Sequence, residues 1–476
     1  MDTLSDPVLL SRLQFAVTAI FHILWPLLTI GLSLFLVAME VLWLKTRDED
    51  YYRHVRFWSK LFLLNFTMGV VSGIPMEFEF GANWDRFSGF AGEFFGNALG
   101  FEGAMAFMLE AGFLGIMLFG WTRVTPAIHL FASAMVALGA SLSAFWILVA
   151  NSWMQTPAGG HVENGRFRVD SYADAIFNPD MPLAFAHMWG ACLETSLFVI
   201  GGLSAWYIVR NRHPAFFLKS FKAALLAAVL VAPLQVILGD IKGREVYKTQ
   251  PVKMAAIEAH WETNPPGQGA SWNVLAWPDR QAEANVWAIR LPQVLSLLAT
   301  TTWDGRVAGL KAFPAADRPP AIGLIFYAFR IMAGIGFALF GLMAWTAWAW
   351  SRGGLEPGRV VRQRGLLLAW VAAIPLGYVA TECGWIVREV GRQPWVVYGL
   401  LRTQEAASQL QPAVVAASLA GFVAVYAVLL VVFLVFAARI VRKGPDMGLA
   451  PAHSAAGHPA SHGRREAGEG EARHGS

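Results

Sequence analysis

Two histidines of this 476-residue chain fall inside apolar runs, His22 in "AIFHILW" and His187 in "AFAHMWG". An imidazole in such surroundings either packs through a hydrogen bond or ligates a metal. Haem iron is a common partner there, with methionine or a carboxylate as further ligands. Met332 in "AFRIMAGIG" and Glu382 in "ATECGWIVREVGRQPW" supply both types. Most of the 15 methionines are core filler. Met332, however, follows Arg330 by two residues, and an arginine in an apolar run needs an anion, which a haem propionate provides. Two more carboxylates, Glu102 and Glu110, lie in "GFEGAMAFMLEAGFLGIMLFG". A carboxylate in hydrocarbon costs several kcal/mol unless neutralised, paired or hydrated, so function is its default reading.

Other chemistries are poorly served. There is no H-E-x-x-H, no cysteine pair for zinc, no Gly-rich phosphate loop, no nucleophile elbow and no histidine cluster for copper. The two cysteines, Cys192 and Cys383, sit in apolar segments, and without C-x-x-C-H a covalently attached haem is excluded. The residues alone stop at an intramembrane redox or ion site. A proton-coupled transporter stays open beside the haem protein, and the two differ in visible absorption.

These groups must be positioned by membrane helices. With 56% hydrophobic and only 15% charged residues the chain is too apolar for a soluble protein, and its ~20-residue runs are long enough to cross a bilayer. The expected fold is all-α and polytopic, with about nine transmembrane helices. They run near 13–43, 58–80, 95–121, 126–150, 182–209, 221–239, 321–350, 365–387 and 412–441. Several of the 20 tryptophans, Trp345, Trp348 and Trp350 among them, mark span ends as an interfacial belt. Lysine and arginine concentrate in alternate short loops, which places the N-terminus outside and the C-terminus inside. The first span lacks a cleavage signal and is expected to be retained. The net charge of +4 follows from this loop bias and calls for no nucleic acid. The organisation is then helices one to six over 1–239, an external loop over 240–320, helices seven to nine over 321–443, and a disordered cytoplasmic tail over 444–476. The tail's His453, His458, His462 and His474 read as solvated.

By this topology His22, His187, Met332 and Glu382 all lie in the outer half of the bilayer. On the third span Glu102 lies nearer to them and Glu110 near mid-membrane, ~12 Å apart along a regular helix and ~80° apart around it. Glu40 and His129 are candidates for an inner entrance to a proton path.

The stretches "SRLQFAVTAIFH", "MEFEFGANW", "WILVANSWMQTP", "KMAAIEAHWETNP", "FRIM" and "GRQPW" closely resemble subunit I of the cytochrome bd-type quinol oxidases, in that family's order and over nearly the whole chain up to the tail. The resemblance implies a terminal oxidase of the bacterial cytoplasmic (inner) membrane that builds a proton motive force without pumping. It implies two haem b and one haem d, or a third haem b. His187 and Met332 match the axial pair of the low-spin haem, and His22 and Glu382 match the ligands of the two high-spin haems. Arg330, with Arg392, Gln393 and Trp395 of the last signature, matches cofactor-binding positions. Lys253 and Glu258 match residues of quinol oxidation, with ubiquinol or menaquinol as substrate, and Glu102 and Glu110 match the proton path. The expected partners are a second membrane subunit, a small single-helix subunit in some members, lipid, quinol and oxygen. The run from "LATTTWDGRVAGLKAF" to the seventh span is brief, as in the short-loop, cyanide-insensitive type.

Overall fold

The computed structural model describes residues 6–451. Nine helices among the described residues are long and apolar enough to cross a membrane: Pro7–Thr46, Glu49–Ala82, Asp85–Phe119, Pro126–Gln155, Met181–Val209, Pro214–Thr249, Ile322–Ser351, Arg364–Val390 and Pro412–Lys443. They are called the first to ninth spans below. Polar side chains cap the starts of the first, second and fourth spans. Asp6 accepts from Val8 N at 2.9 Å ahead of Pro7, and Thr125 accepts from Ile128 N ahead of Pro126.

The first span is the hub, packed against the second, fourth, fifth and ninth. Small residues let it approach the fifth. A Cβ on Gly31 would stand 2.4 Å from Ser196 Cβ, and Ser196 Oγ donates to Leu27 O at 2.8 Å. Close backbone contact and a cross-helix hydrogen bond replace the hydrophobic drive that lipid cannot supply. The seventh span packs on the sixth and on the second half of the eighth.

Two spans are irregular in ways that periodicity does not reveal. The third carries a π-helical stretch over Glu102–Phe107. The eighth breaks into Arg364–Ala373 and Leu376–Val390, where Pro375 cannot donate a backbone bond. The regular-helix spacing of Glu102 and Glu110 is therefore corrected. Closure from i to i+5 puts more than four residues in a turn, so eight residues span close to two whole turns, and the two side chains lie nearer one face.

The segments joining fourth to fifth, sixth to seventh and eighth to ninth spans share one side, here the loop face. The sixth span runs ten residues beyond Gly239 to Thr249, so the expected 240–320 loop begins as helix. It then holds the helix Pro251–Ile257, the hairpin strands Trp272–Asp279 and Ala284–Leu291, and the helix Val294–Thr300. Of the expected tail, residues 452–476, including all four of its histidines, lie outside the described residues.

Candidate functional site

Lys253 and Glu258 sit on the loop face at the short helix Pro251–Ile257, and both are buried. Lys253 Nζ donates to Gln155 Oε1 at 2.6 Å. Burial pushes its ammonium well below the ordinary lysine value, with Arg388 and Arg392 adding like-charge repulsion. Glu258 is met by the seventh span: Arg330 Nη2 donates to its carboxylate at 2.6 Å. The same guanidinium donates to Ile257 O and Asn273 O and lies over Phe326 at 4.2 Å and Trp272 at 5.3 Å. Burial nevertheless pushes the Glu258 carboxyl above the usual carboxylate range, against the pull of Arg330. A carboxyl so raised keeps its proton to higher pH than an ordinary carboxylate and is of the type that exchanges protons in general acid–base chemistry.

Beside Lys253 lies a buried ion network that sequence reasoning missed. Asp180, one residue before the fifth span, accepts from Arg388 at 2.6 Å and from Lys242. Although burial alone would raise it, Arg388 and Lys242 hold the Asp180 carboxyl below its ordinary value. Arg388 Nε donates to Asn151 Oδ1 at 2.6 Å, and Glu389 accepts from Asn151 at 3.0 Å, from Gln155 at 3.1 Å and from Arg392. The signature "WILVANSWMQTP" thus supplies the polar groups that tie "REVGRQPW" to the quinol-candidate lysine. Arg392 keeps Nε and Nη1 buried and without a protein partner. Gln393 and Trp395 are engaged locally: Gln393 Oε1 accepts from Thr403 Oγ1 at 2.7 Å, and Arg402 stacks on Trp395 at 4.3 Å.

The four candidate iron ligands come from the first, fifth, seventh and eighth spans. His22 Nδ1 is 3.0 Å from Ser72 Oγ of the second span, which leaves Nε2 for a ligand. One turn earlier Thr18 donates to buried Glu79 at 2.6 Å. Sequence reasoning passed over Glu79, although it stands in "MEFEFGANW" as a carboxylate in an apolar run. Three glycines face the other ligand atoms or rings. A Cβ would stand 3.1 Å from His22 Cε1 on Gly73, 3.5 Å from His187 Cε1 on Gly239 and 3.0 Å from Met332 Sδ on Gly384. Gly384 and Glu382 are two residues apart, ~200° around their helix. That helix therefore turns one side to Met332 and another to the Glu382 site.

These residues fit haem on three observations. Both carboxylate oxygens of Glu382 and His187 Nδ1 are buried without a protein partner, and Arg330 Nε and the free Arg392 donors suit propionates. His, Met and Glu are iron-ligating types. Among the described residues no cluster of three or more His, Cys, Asp or Glu is arranged for a bare metal ion.

Glu102 and Glu110 are brought to one stripe of the fourth span. Ser143 donates to Glu102 Oε1 at 2.7 Å, and a Cβ on Gly139, one turn away, would meet Glu110 Cγ at 2.8 Å. Further along that span toward the opposite face, Ser133 donates to Glu40 at 3.2 Å and His129 Nδ1 lies 2.7 Å from the same Glu40 oxygen. Glu194, buried in the fifth span, is a further carboxylate that sequence reasoning passed over.

A family model described as Cytochrome bd terminal oxidase subunit I matches residues 10–445. The chain is 34% identical to the Cytochrome bd-II ubiquinol oxidase subunit 1 of Escherichia coli (strain K12), covering 93% of this chain and 97% of that one. It is 36% identical to the Cytochrome bd ubiquinol oxidase subunit 1 of Bacillus subtilis (strain 168), covering 92% and 94%. Among solved structures, the bd oxidase from Geobacillus thermodenitrificans matches with a TM-score of 0.84 at 31% identity, over 93% of this chain and 99% of that one.

Proposed function

The chain belongs to the cytochrome bd terminal oxidase subunit I family, and on that premise we propose how its residues divide the work. As a member it is a haem-containing, multi-pass membrane subunit of a quinol:oxygen oxidoreductase and acts with a partner subunit. In our reading quinol docks on the loop face between Lys253 and Glu258. Glu258 accepts a hydroxyl proton, and Arg330 stabilises the carboxylate that must receive it. The Lys253–Gln155 bond and the Asp180–Arg388 network hold that wall in place.

His187 and Met332 would hold the low-spin haem, and His22 and Glu382 the two high-spin ones, with His22 at the oxygen site. Bound haem supplies the electron transfer and the oxygen-binding iron. Arg330 and Arg392 would meet propionates, while Gln393 and Trp395 shape the loop that carries Arg392. We assign two haem b and one haem d, or a third haem b, and either ubiquinol or menaquinol as donor. The loop face is external and the membrane is the bacterial cytoplasmic one, so quinol protons leave outside. Protons for oxygen reduction rise from the other face by Glu40 and His129 to Glu110 and Glu102. Opposed release and uptake then build a proton motive force without a pump. A second membrane subunit, and in some assemblies a small single-helix one, would complete the complex.

The observation that carries this reading is the buried Glu258–Arg330 pair, because it joins a proton acceptor to the residue two places before Met332. Haem extraction from the purified complex tests the ligand set. Three haems per subunit support it, and fewer than three contradict it.

A further inference from the structure

The hairpin of the loop-face segment has two unlike faces. Asn273 and Ala276 are buried against the outer end of the seventh span. The other face carries Leu275, Trp277, Trp287, Ile289 and Leu291, each between 43% and 57% exposed, with no polar side chain among them. The register pairs Leu275 with Ile289, and a bulge on either side of Leu275–Ala276 keeps the large residues together. Such a patch facing water would be a solubility fault.

Three hydrogen bonds fix how this hairpin lies along the seventh span. Arg330 donates to Asn273 O at 2.6 Å, Tyr327 to Ala276 O at 2.7 Å, and Arg280 to Pro320 O at 3.2 Å. The first strand therefore runs antiparallel to the helix, with Asn273 deepest and the turn after Asp279 outermost. A crossing of ~20 residues counted back from Trp345 and Trp348 begins near Phe326–Ala328. Residues 327 and 330, the ones bonded to the strand, stand where the apolar layer starts.

Chemistry along the hairpin follows the same axis. On the apolar face Leu275, Ile289 and Leu291 are on the deep side, with exposed Arg290 beside Asn273 on the opposite face; Trp277 and Trp287 come next, and the turn holds Asp279, Arg280 and Glu283. That order of aliphatic, tryptophan and charge is the order of a membrane interface. On the seventh span Leu324 and Ile331, on the same side of the helix as Tyr327, are apolar and exposed as well.

We propose that this hairpin is a monotopic membrane anchor: its Leu275/Trp277/Trp287/Ile289/Leu291 face inserts into the leaflet on the loop face. The occupant is lipid, at the boundary between headgroups and acyl chains. The inserted sheet forms the wall between lipid and the Glu258–Arg330 pair, because Asn273 on its buried side touches both: Arg330 through its carbonyl, and Glu258 through a bond from Asn273 Nδ2 to the Glu258 carbonyl at 2.8 Å.

The test places a nitroxide at Ile289→Cys, and separately at Trp287→Cys, in the purified holo-complex in lipid nanodiscs. Glu283→Cys at the turn is the control, the unsubstituted protein the labelling blank, and an unaltered haem spectrum certifies the fold. Relaxation by oxygen, which concentrates in lipid, is compared with relaxation by a water-soluble nickel chelate. Insertion gives oxygen the larger effect at 289 and 287 and the chelate the larger effect at 283. Dominance of the chelate at 289 and 287 overturns the proposal in favour of an aqueous face. Weak relaxation by both agents overturns it in favour of cover by another subunit. None of these outcomes depends on which residues oxidise quinol.

Discussion

Arg330 and Glu258 are 2.6 Å apart in a buried pair that joins the seventh span to the loop-face segment. The pair makes the protonation of Glu258 and the charge beside Met332 interdependent. Replacing Glu258 with glutamine keeps its shape but removes the proposed base. Turnover with quinol is expected to fall ~10²–10⁴-fold, the range for loss of a general base, while the haem spectrum persists.

The pH profile follows from the direction of its shift. Burial raises the Glu258 carboxyl, so it protonates at a higher pH than an ordinary carboxylate near ~4.3. Proton acceptance needs the anion, so kcat/KM should fall as pH drops through that raised value. In a pH–rate profile the acid limb should be present in the parent and flattened in the residual activity of Glu258→Gln. Arg330→Gln, which removes the stabilising charge, should move the limb to still higher pH.

Asp180 answers both Arg388 and Lys242 in a buried setting. Asp180→Asn removes the anion that Lys242 and Arg388 share, leaving Lys242 with Glu245 and Arg388 with Glu389 at 3.8 Å, and should destabilise the subunit by ~1.5–3 kcal/mol, seen as faster thermal loss of the haem spectrum. Because the Asp180 carboxyl is held below its ordinary value, this contribution is complete above that value and lost as pH falls through the depressed one. A parent protein without acid sensitivity beyond the Asp180→Asn variant would count against the network.

Glu110 and Glu102 face one stripe of the fourth span, through Gly139 and Ser143. In vesicles supplied with quinol, Glu110→Gln should lower turnover and internal alkalinisation together by about 10²-fold. Ser143→Ala, which loses one hydrogen bond worth ~0.5–1.5 kcal/mol, should cost about tenfold or less. Unchanged alkalinisation in Glu110→Gln would remove it from the path.

Hydropathy and loop composition made the nine spans readable, because length and apolarity are what a bilayer demands. The π-helical stretch at Glu102–Phe107 was not readable: apart from Gly103 its residues suit a regular α-helix, and its packing on the fourth span is a tertiary feature. His22, His187 and Glu382 announced themselves as polar groups in apolar runs. Asp180, Lys242 and Arg388 did not, since at span ends such residues look solvated until the fold buries them together. Lys253 and Glu258 carried no periodic signal and were reached by resemblance. The hairpin's apolar face was hidden for another reason, since its strands are bulged and its partner surface, the seventh span, is far away in sequence.

The central claim is that iron porphyrin is held by side chains of the first, fifth, seventh and eighth spans. Reduced-minus-oxidised spectra of His187→Ala and Met332→Ala test it most directly. Loss or conversion of the low-spin signal in each, with the high-spin bands kept, is the predicted result. An intact low-spin signal in both variants would contradict it.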